Sequence, residues 1–185
     1  MKTIEEKARE YAELEIGTGR KNPDNIIAID PDVDRSGVAW LHPKTRQLEC
    51  DALPFPELLD YLLAARRECE GRSESLVVVV EAGWMVRTHY HANYRDTYRA
   101  AAAKGNSVGR NHETGRNIVA MCRHYGLTVV EQRPLRKIWA GPDRKITHRE
   151  LVAFAPIANR NRTSQEMRDA ALLAWNAAGL PMSIL

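Results

Sequence analysis

The chain has 185 residues, of which 44% are hydrophobic and 28% charged, with a formal net charge of +3. That is the makeup of one ordinary soluble domain able to bury a core. No apolar run approaches the roughly 20 residues of a membrane span, so no membrane association is expected. Met1-Lys2-Thr3-Ile4-Glu5-Glu6 is too acidic and polar for a signal peptide. Cys50, Cys69 and Cys122 are scattered and show no Cys-x-x-Cys spacing. They argue against a disulfide framework and a zinc site, and a reducing, cytoplasmic setting is the expectation.

In chain order, Thr3-Ile4-Glu5-Glu6 has capping-box spacing and predicts a polar helix stopping near Gly17. Residues 1–24 are therefore expected to be a helical extension, with the main domain over 25–185. Ile26 to Asp30, Gly37 to Leu41 and Gln47 to Asp51 read as three strands of an antiparallel meander. Pro54-Phe55-Pro56 introduces a helix from Glu57 to Glu70. Leu76 to Glu81 is apolar on both faces, as a central parallel strand should be. Helical segments follow over Tyr94–Ala103 and Ser107–Tyr125, then a buried strand from Leu127 to Gln132. Thr147-His148-Arg149-Glu150 and Thr163-Ser164-Gln165-Glu166 are further capping boxes, each starting a helix. The order predicts one α/β domain with a mixed sheet.

Acids stand where local structure gives them little reason to be. Asp30 ends Ile26-Ile27-Ala28-Ile29, and Glu81 ends Leu76-Val77-Val78-Val79-Val80. An ionised Glu at the end of a buried strand costs several kcal/mol unless paired or metal-bound. Glu166 and Asp169 are three apart, on one helix face, beside Ala170 and Ala171. Each has an ordinary alternative: a turn at Asp30-Pro31, an ion pair from Glu81 to Arg87, a cap at Glu166. Taken together, oxygen-only ligands at two strand ends and one helix face fit Mg²⁺ or Mn²⁺. Asp32 and Asp34 crowd the Asp30 loop and invite a cation as well.

Bases concentrate between Arg87 and Arg162, with few acids among them. Cations beside a carboxylate cluster suit an enzyme that cuts phosphodiesters, although a solvated basic surface explains the charge alone. Arg110, Arg116, Lys137, Lys145 and Arg149 are candidate phosphate contacts. Trp84, just after Glu81, would either stack on an unpaired base or anchor the core. His89 and His91 have no zinc spacing. A metal-dependent nuclease is the function these residues imply.

Ile29-Asp30-Pro31 with Gly37, then Val80-Glu81 with Trp84, resemble the first two acidic elements of RuvC-type Holliday junction resolvases. Ser107-Val108-Gly109-Arg110 and Gly115-Arg116-Asn117-Ile118-Val119-Ala120 are similar to that family's long glycine-containing helix. Pro134, Lys137, Gly141 and Lys145 follow its basic segment, and Glu166-x-x-Asp169-Ala170-Ala171-Leu172 its closing acidic element. The likeness runs from about Ile26 to Ala177. Asp32 replaces a usual glycine, Glu166 a usual aspartate, and the N-terminal helix is extra.

The resemblance implies an RNase H-like fold, with a mixed five-stranded sheet flanked by helices. It implies a homodimer that nicks a four-way DNA junction in pairs. Asp30, Glu81, Glu166 and Asp169 would hold two Mg²⁺, Mn²⁺ being a substitute. Lys145 would offset charge on the phosphoryl oxygens, and 5′-phosphate and 3′-hydroxyl ends would result. Val108, Ile118, Val119 and Met121 would be apolar contacts of the dimer, unless they pack on the chain's own sheet. Rival functions are an RNase H-like nuclease on structured RNA, or a module that binds branched DNA without cutting it. A sugar-kinase or actin-like ATPase needs two such domains, and the chain is too short for them.

Overall fold

Five short runs become strands: the first and the centre of the fourth bury both faces, while the third alternates buried and partly exposed positions. In a computed structural model, which describes residues 22–86 and 97–182, these are β1 Asn25–Asp30, β2 Ser36–His42, β3 Gln47–Leu53, β4 Leu76–Glu81 and β5 Val129–Gln132. They form one sheet in the order β3-β2-β1-β4-β5. β1 pairs antiparallel with β2, and β2 with β3, as the meander predicts. β4 is parallel to both β1 and β5.

Alternation sorts the strand side chains into two cores. Ile27, Ile29, Val78 and Val80 face helices α1 (Phe55–Gly71) and α2 (Tyr98–His124), meeting Leu58, Leu62, Ile118 and Val119. Ile26, Ala28, Ala39 and Val79 face α4 (Gln165–Ala177), while α3 (His148–Phe154) contributes Leu151 to the same side. On that side Ala28 and Ala39 belong to one buried cluster with Ala170, Ala171 and Ala174, so the helix comes close to the sheet.

Close approach is sharpest at Gly37. A Cβ there would stand 2.0 Å from the Glu166 carbonyl oxygen. Since Gly37 pairs with Asp30 across the strands, this contact sets the first turn of α4 over the end of β1.

Several expectations need correction. The two helical segments predicted around Ala103 and Ser107 are one helix, α2, capped at Thr97. Gly105 and Gly109 weaken it by about 1 kcal/mol each, yet four consecutive alanines, Ala100 to Ala103, favour continuation. The cap of α4 is Ser164, whose hydroxyl accepts from the Met167 N–H, so Thr163 is not the cap and Glu166 is not its reciprocal partner. The Thr147–Glu150 capping box is formed as expected. Ile118 and Val119 are buried in the chain's own core, which removes them as contacts for a second copy. The expected helix near Thr3 to Gly17, the start of the Tyr94 segment, and Arg87, His89, His91 and Arg95 lie outside the described residues. Among the described residues no helix is long and apolar enough to cross a membrane.

Gly37→Ala should cost about 3 kcal/mol or more, because backbone must move to admit the methyl. Gly109→Ala, with nothing within 4 Å of its new Cβ, should instead stabilise by about 0.5–1 kcal/mol. Urea titration of both variants checks the contrast.

Candidate metal centre

Parallel register puts two acids side by side. Ile29 pairs with Val80, so the next residues, Asp30 and Glu81, end adjacent strands at the carboxyl edge of the sheet. The Gly37 contact brings α4 across them from one side, adding Glu166 and Asp169. Lys145 enters from the loop before α3. That loop is tight: the Gly141 N–H donates to the Lys145 carbonyl at 3.1 Å, and Asp143 and Arg144 have φ of 52° and 58°. Gly141 has no room for a side chain, since a Cβ would meet the Lys145 carbonyl oxygen at 2.4 Å.

Asp169 uses both its oxygens. Oδ2 accepts from Lys145 Nζ at 2.8 Å and Oδ1 from Gln165 Nε2 at 2.7 Å. Gln165 is fixed at its other end, where Oε1 accepts from Arg168 Nη2 at 2.7 Å. Arg168 also donates to the carbonyls of Ile146 and Thr163, tying the Lys145 loop and the entry to α4 together.

These charges oppose one another. Burial, then the neighbouring Glu81 and Asp169 carboxylates, push the Asp30 carboxyl well above the usual range. Burial and Asp169 push Glu81 up to about 7, while Lys145 and Lys137 act to lower it. For Lys145, burial pulls the ammonium down, but the Asp169 hydrogen bond and the charges of Asp169, Asp30 and Glu166 prevail and raise it. Three of the predicted acids therefore act on one another directly, and Glu166 acts on Asp30. Of the predicted bases, Lys145 lies in the cluster and Lys137 is within its field.

The other predicted residues are placed differently. Trp84 sits in a 3-10 turn, Gly83–Met85, and is half-buried. Its indole N–H donates to Glu131 at 3.1 Å, and Glu131 in turn holds Arg123 at 2.7 Å. A Cβ on Gly115 would meet the Trp84 ring at 2.4 Å and Pro31 at 3.1 Å, so this glycine lets α2 rest on the segments following both strand ends. The Arg116 guanidinium lies 5.5 Å from the centre of the Trp84 ring. The tryptophan is thus a packing anchor that also carries an arginine. Arg110 and Arg149 are exposed on α2 and α3.

Asp32 is committed to its loop. Its carboxylate accepts from the Asp34 N–H at 2.9 Å and from Asn111 Nδ2 at 3.0 Å, while Asn111 Oδ1 accepts from the Val33 N–H. Asn111, Arg168 and Gln165 were not among the residues that sequence singled out. Gln165 had a legible signal, its i,i+4 spacing from Asp169.

The donor set is all oxygen, and the raised carboxyls of Asp30 and Glu81 are what a divalent cation would relieve. As placed, no three described His, Cys, Asp or Glu side chains gather closely enough to hold one ion. Lys145 is the positive charge among them.

No protein-family model matches the chain, and no curated protein sequence matches it. Among solved structures, RuvC of T. thermophilus in complex with a Holliday junction substrate is similar, with a TM-score of 0.52 and 13% identity over 84% of this chain and 92% of that one. A second Thermus thermophilus RuvC structure has 16% identity over 84% and 93%, with a TM-score of 0.44. The mixed five-stranded sheet flanked by helices is the RuvC-type, RNase H-like α/β fold.

A carboxyl raised in the fold keeps a proton that the unfolded chain has lost. Its stabilising contribution is full below the ordinary value, 4.5 for Glu81, and is lost as pH climbs to about 7. In EDTA the protein should accordingly melt lower at pH 8 than at pH 5. Asp30→Asn should recover on the order of 1–3 kcal/mol at pH 8 and less at pH 5. Equal gains at both pH values would mean that Asp30 is not a repelled carboxylate.

Proposed function

We propose that this chain is a divalent-metal-dependent nuclease that acts on branched DNA and resolves four-way junctions by paired nicks. The observation that carries the reading is the meeting of Asp30, Glu81, Glu166 and Asp169 at the carboxyl edge of a RuvC-type sheet. It is supported by the similar structure, which is of a RuvC bound to a Holliday junction. A module that only bound DNA would gain nothing from four carboxylates, which repel a polyanion.

Those four acids would hold two Mg²⁺, with Mn²⁺ able to replace them. Bound there, the metals supply the charge that activates water and stabilises the departing 3′ oxygen, leaving 5′-phosphate and 3′-hydroxyl ends. Lys145 brings an ammonium to the same place and would offset charge on the phosphoryl oxygens. Lys137 acts on the charge of Glu81, and Arg116 lies over the Trp84 ring. Both would hold the strand being cut, while Arg110 and Arg149 would contact phosphates farther out. Asn111 keeps the Asp30 loop in place for that encounter.

A junction has two-fold symmetry and each chain has one cluster, so two copies would make the paired nicks. With Ile118 and Val119 internal, the second copy would meet the outer half of α2, where Tyr98 is 93% exposed and Val108 half-buried. Light scattering of the wild type should then give a dimer and that of Val108→Asp a monomer. A wild-type monomer, both free and on the junction, would remove the dimer from this reading.

Asp30→Asn, Glu81→Gln and Asp169→Asn should each abolish Mg²⁺-dependent cutting of a mobile four-way junction. Binding should stay equal or tighten, since each amide removes negative charge near DNA. The assay is gel cleavage with junction, duplex DNA and structured RNA side by side. Preference for the RNA would reassign the substrate, and near wild-type cutting by Asp30→Asn would dismantle the metal site.

A further inference from the structure

We propose that Lys145 is an internal counter-ion that competes with the divalent cation: ammonium and metal exclude one another at Asp169, and the metal's arrival releases Lys145 toward the substrate phosphate. The proposal rests on the metal-site reading above and adds how that site is held and exchanged.

Both oxygens of Asp169 are engaged as it stands. Gln165 holds Oδ1 and Lys145 holds Oδ2, at 2.7 and 2.8 Å. The Gln165 amide is itself pinned by Arg168, and Arg168 is pinned to two backbone carbonyls. Of the two partners, Lys145 is the one built to leave. Its backbone is fixed, with its N–H donating to Pro142 and its carbonyl accepting from Gly141. Its side chain keeps 32% exposure, more than the 19% of Asp169, so solvent reaches the ammonium's stem. A lysine carries its charge on a flexible four-carbon stem, so the ammonium can move while the loop stays.

The charge it neutralises is that of the whole cluster. Besides bonding Asp169, the ammonium interacts electrostatically with Asp30, Glu166 and Glu81. A divalent cation seeking oxygen from the same groups meets a resident positive charge first. Once displaced, Lys145 would stay tethered by its loop within a side-chain length of Asp169. The same residue would then serve first the free protein and afterwards the complex.

The test uses the full chain without DNA. Mn²⁺ affinity is measured by electron paramagnetic resonance of the free ion, for wild type and for Lys145→Met. The variant should bind about ten- to hundredfold more tightly, the worth of one charge-assisted hydrogen bond. Lys145→Ala should also bind more tightly, and added ethylammonium, at constant ionic strength, should restore the competition. Equal or weaker Mn²⁺ binding by folded Lys145→Met would overturn the proposal while leaving the metal site standing. Absence of Mn²⁺ binding in wild type and variant alike would overturn both.

Should the variants not fold, acetylation footprinting of the wild type decides. Mg²⁺ should raise labelling of Lys145 several-fold and leave Lys44, paired far off with Asp24, unchanged. Labelling of Lys145 that stays constant or falls would overturn the proposal.

Discussion

The whole site hangs on how near α4 can come to β2. The Glu166 carbonyl occupies the space a side chain at position 37 would need. Because Gly37 is the cross-strand partner of Asp30, a helix that settles on Gly37 carries its first-turn Glu166, and Asp169 one turn on, to the end of β1. The alanines on both sides extend the same close contact inward: Ala28 and Ala39 on the sheet, Ala170, Ala171 and Ala174 on the helix. Small residues here are therefore part of the chemistry, since a wider gap would separate the carboxylates.

Proximity has an electrostatic cost, and the fold meets it in a way that keeps the cost reversible. Burial first, and then neighbouring carboxylates, push up the carboxyls of Asp30 and Glu81. A permanent hydrophobic substitute would be more stable, as buried polar clusters often show. The chain instead places a lysine, backbone-anchored and on a flexible four-carbon stem, against Asp169. Arg168 then does a different task from Lys145: it bonds backbone carbonyls and Gln165, so it ties the loops together and reaches Asp169 only through that amide. Two basic residues that look interchangeable in the sequence thus divide scaffold from charge.

Much of this was legible in the sequence, and what was missed has physical reasons. The strands and the acids at their ends could be read because burial on both faces gives unbroken apolar runs, and an acid closing such a run stands out. The α4 cap was assigned one residue early because Thr163 and Ser164 are both good caps, and only backbone geometry separates them. The long helix was split in two because Gly105, between the two segments, lowers helix propensity without forcing a break. Ile118 and Val119 were open to two assignments, since an apolar stripe does not say whether its own sheet or another copy covers it. Asn111 was unreadable because its partners, Asp32 and Val33, are 79 and 78 residues away.

Trp84 shows how the two sides of the sheet are joined at the site. From sequence it was either a base-stacking platform or a core anchor, and its environment is that of an anchor. Its ring edge meets α2 at Gly115, its N–H is held by Glu131, and Pro31 lies against the same glycine. The residue after Asp30 and the third residue after Glu81 consequently rest on one point of one helix. Asn111, one turn earlier on that helix, holds the loop that follows Asp30. The α2 side of the sheet therefore fixes the strand ends, while the α4 side brings the movable charges. A substitution at Gly115 would act on Asp30 and Glu81 together without touching either, whereas one at Gln165 would act on Asp169 and on the Arg168 guanidinium that it holds.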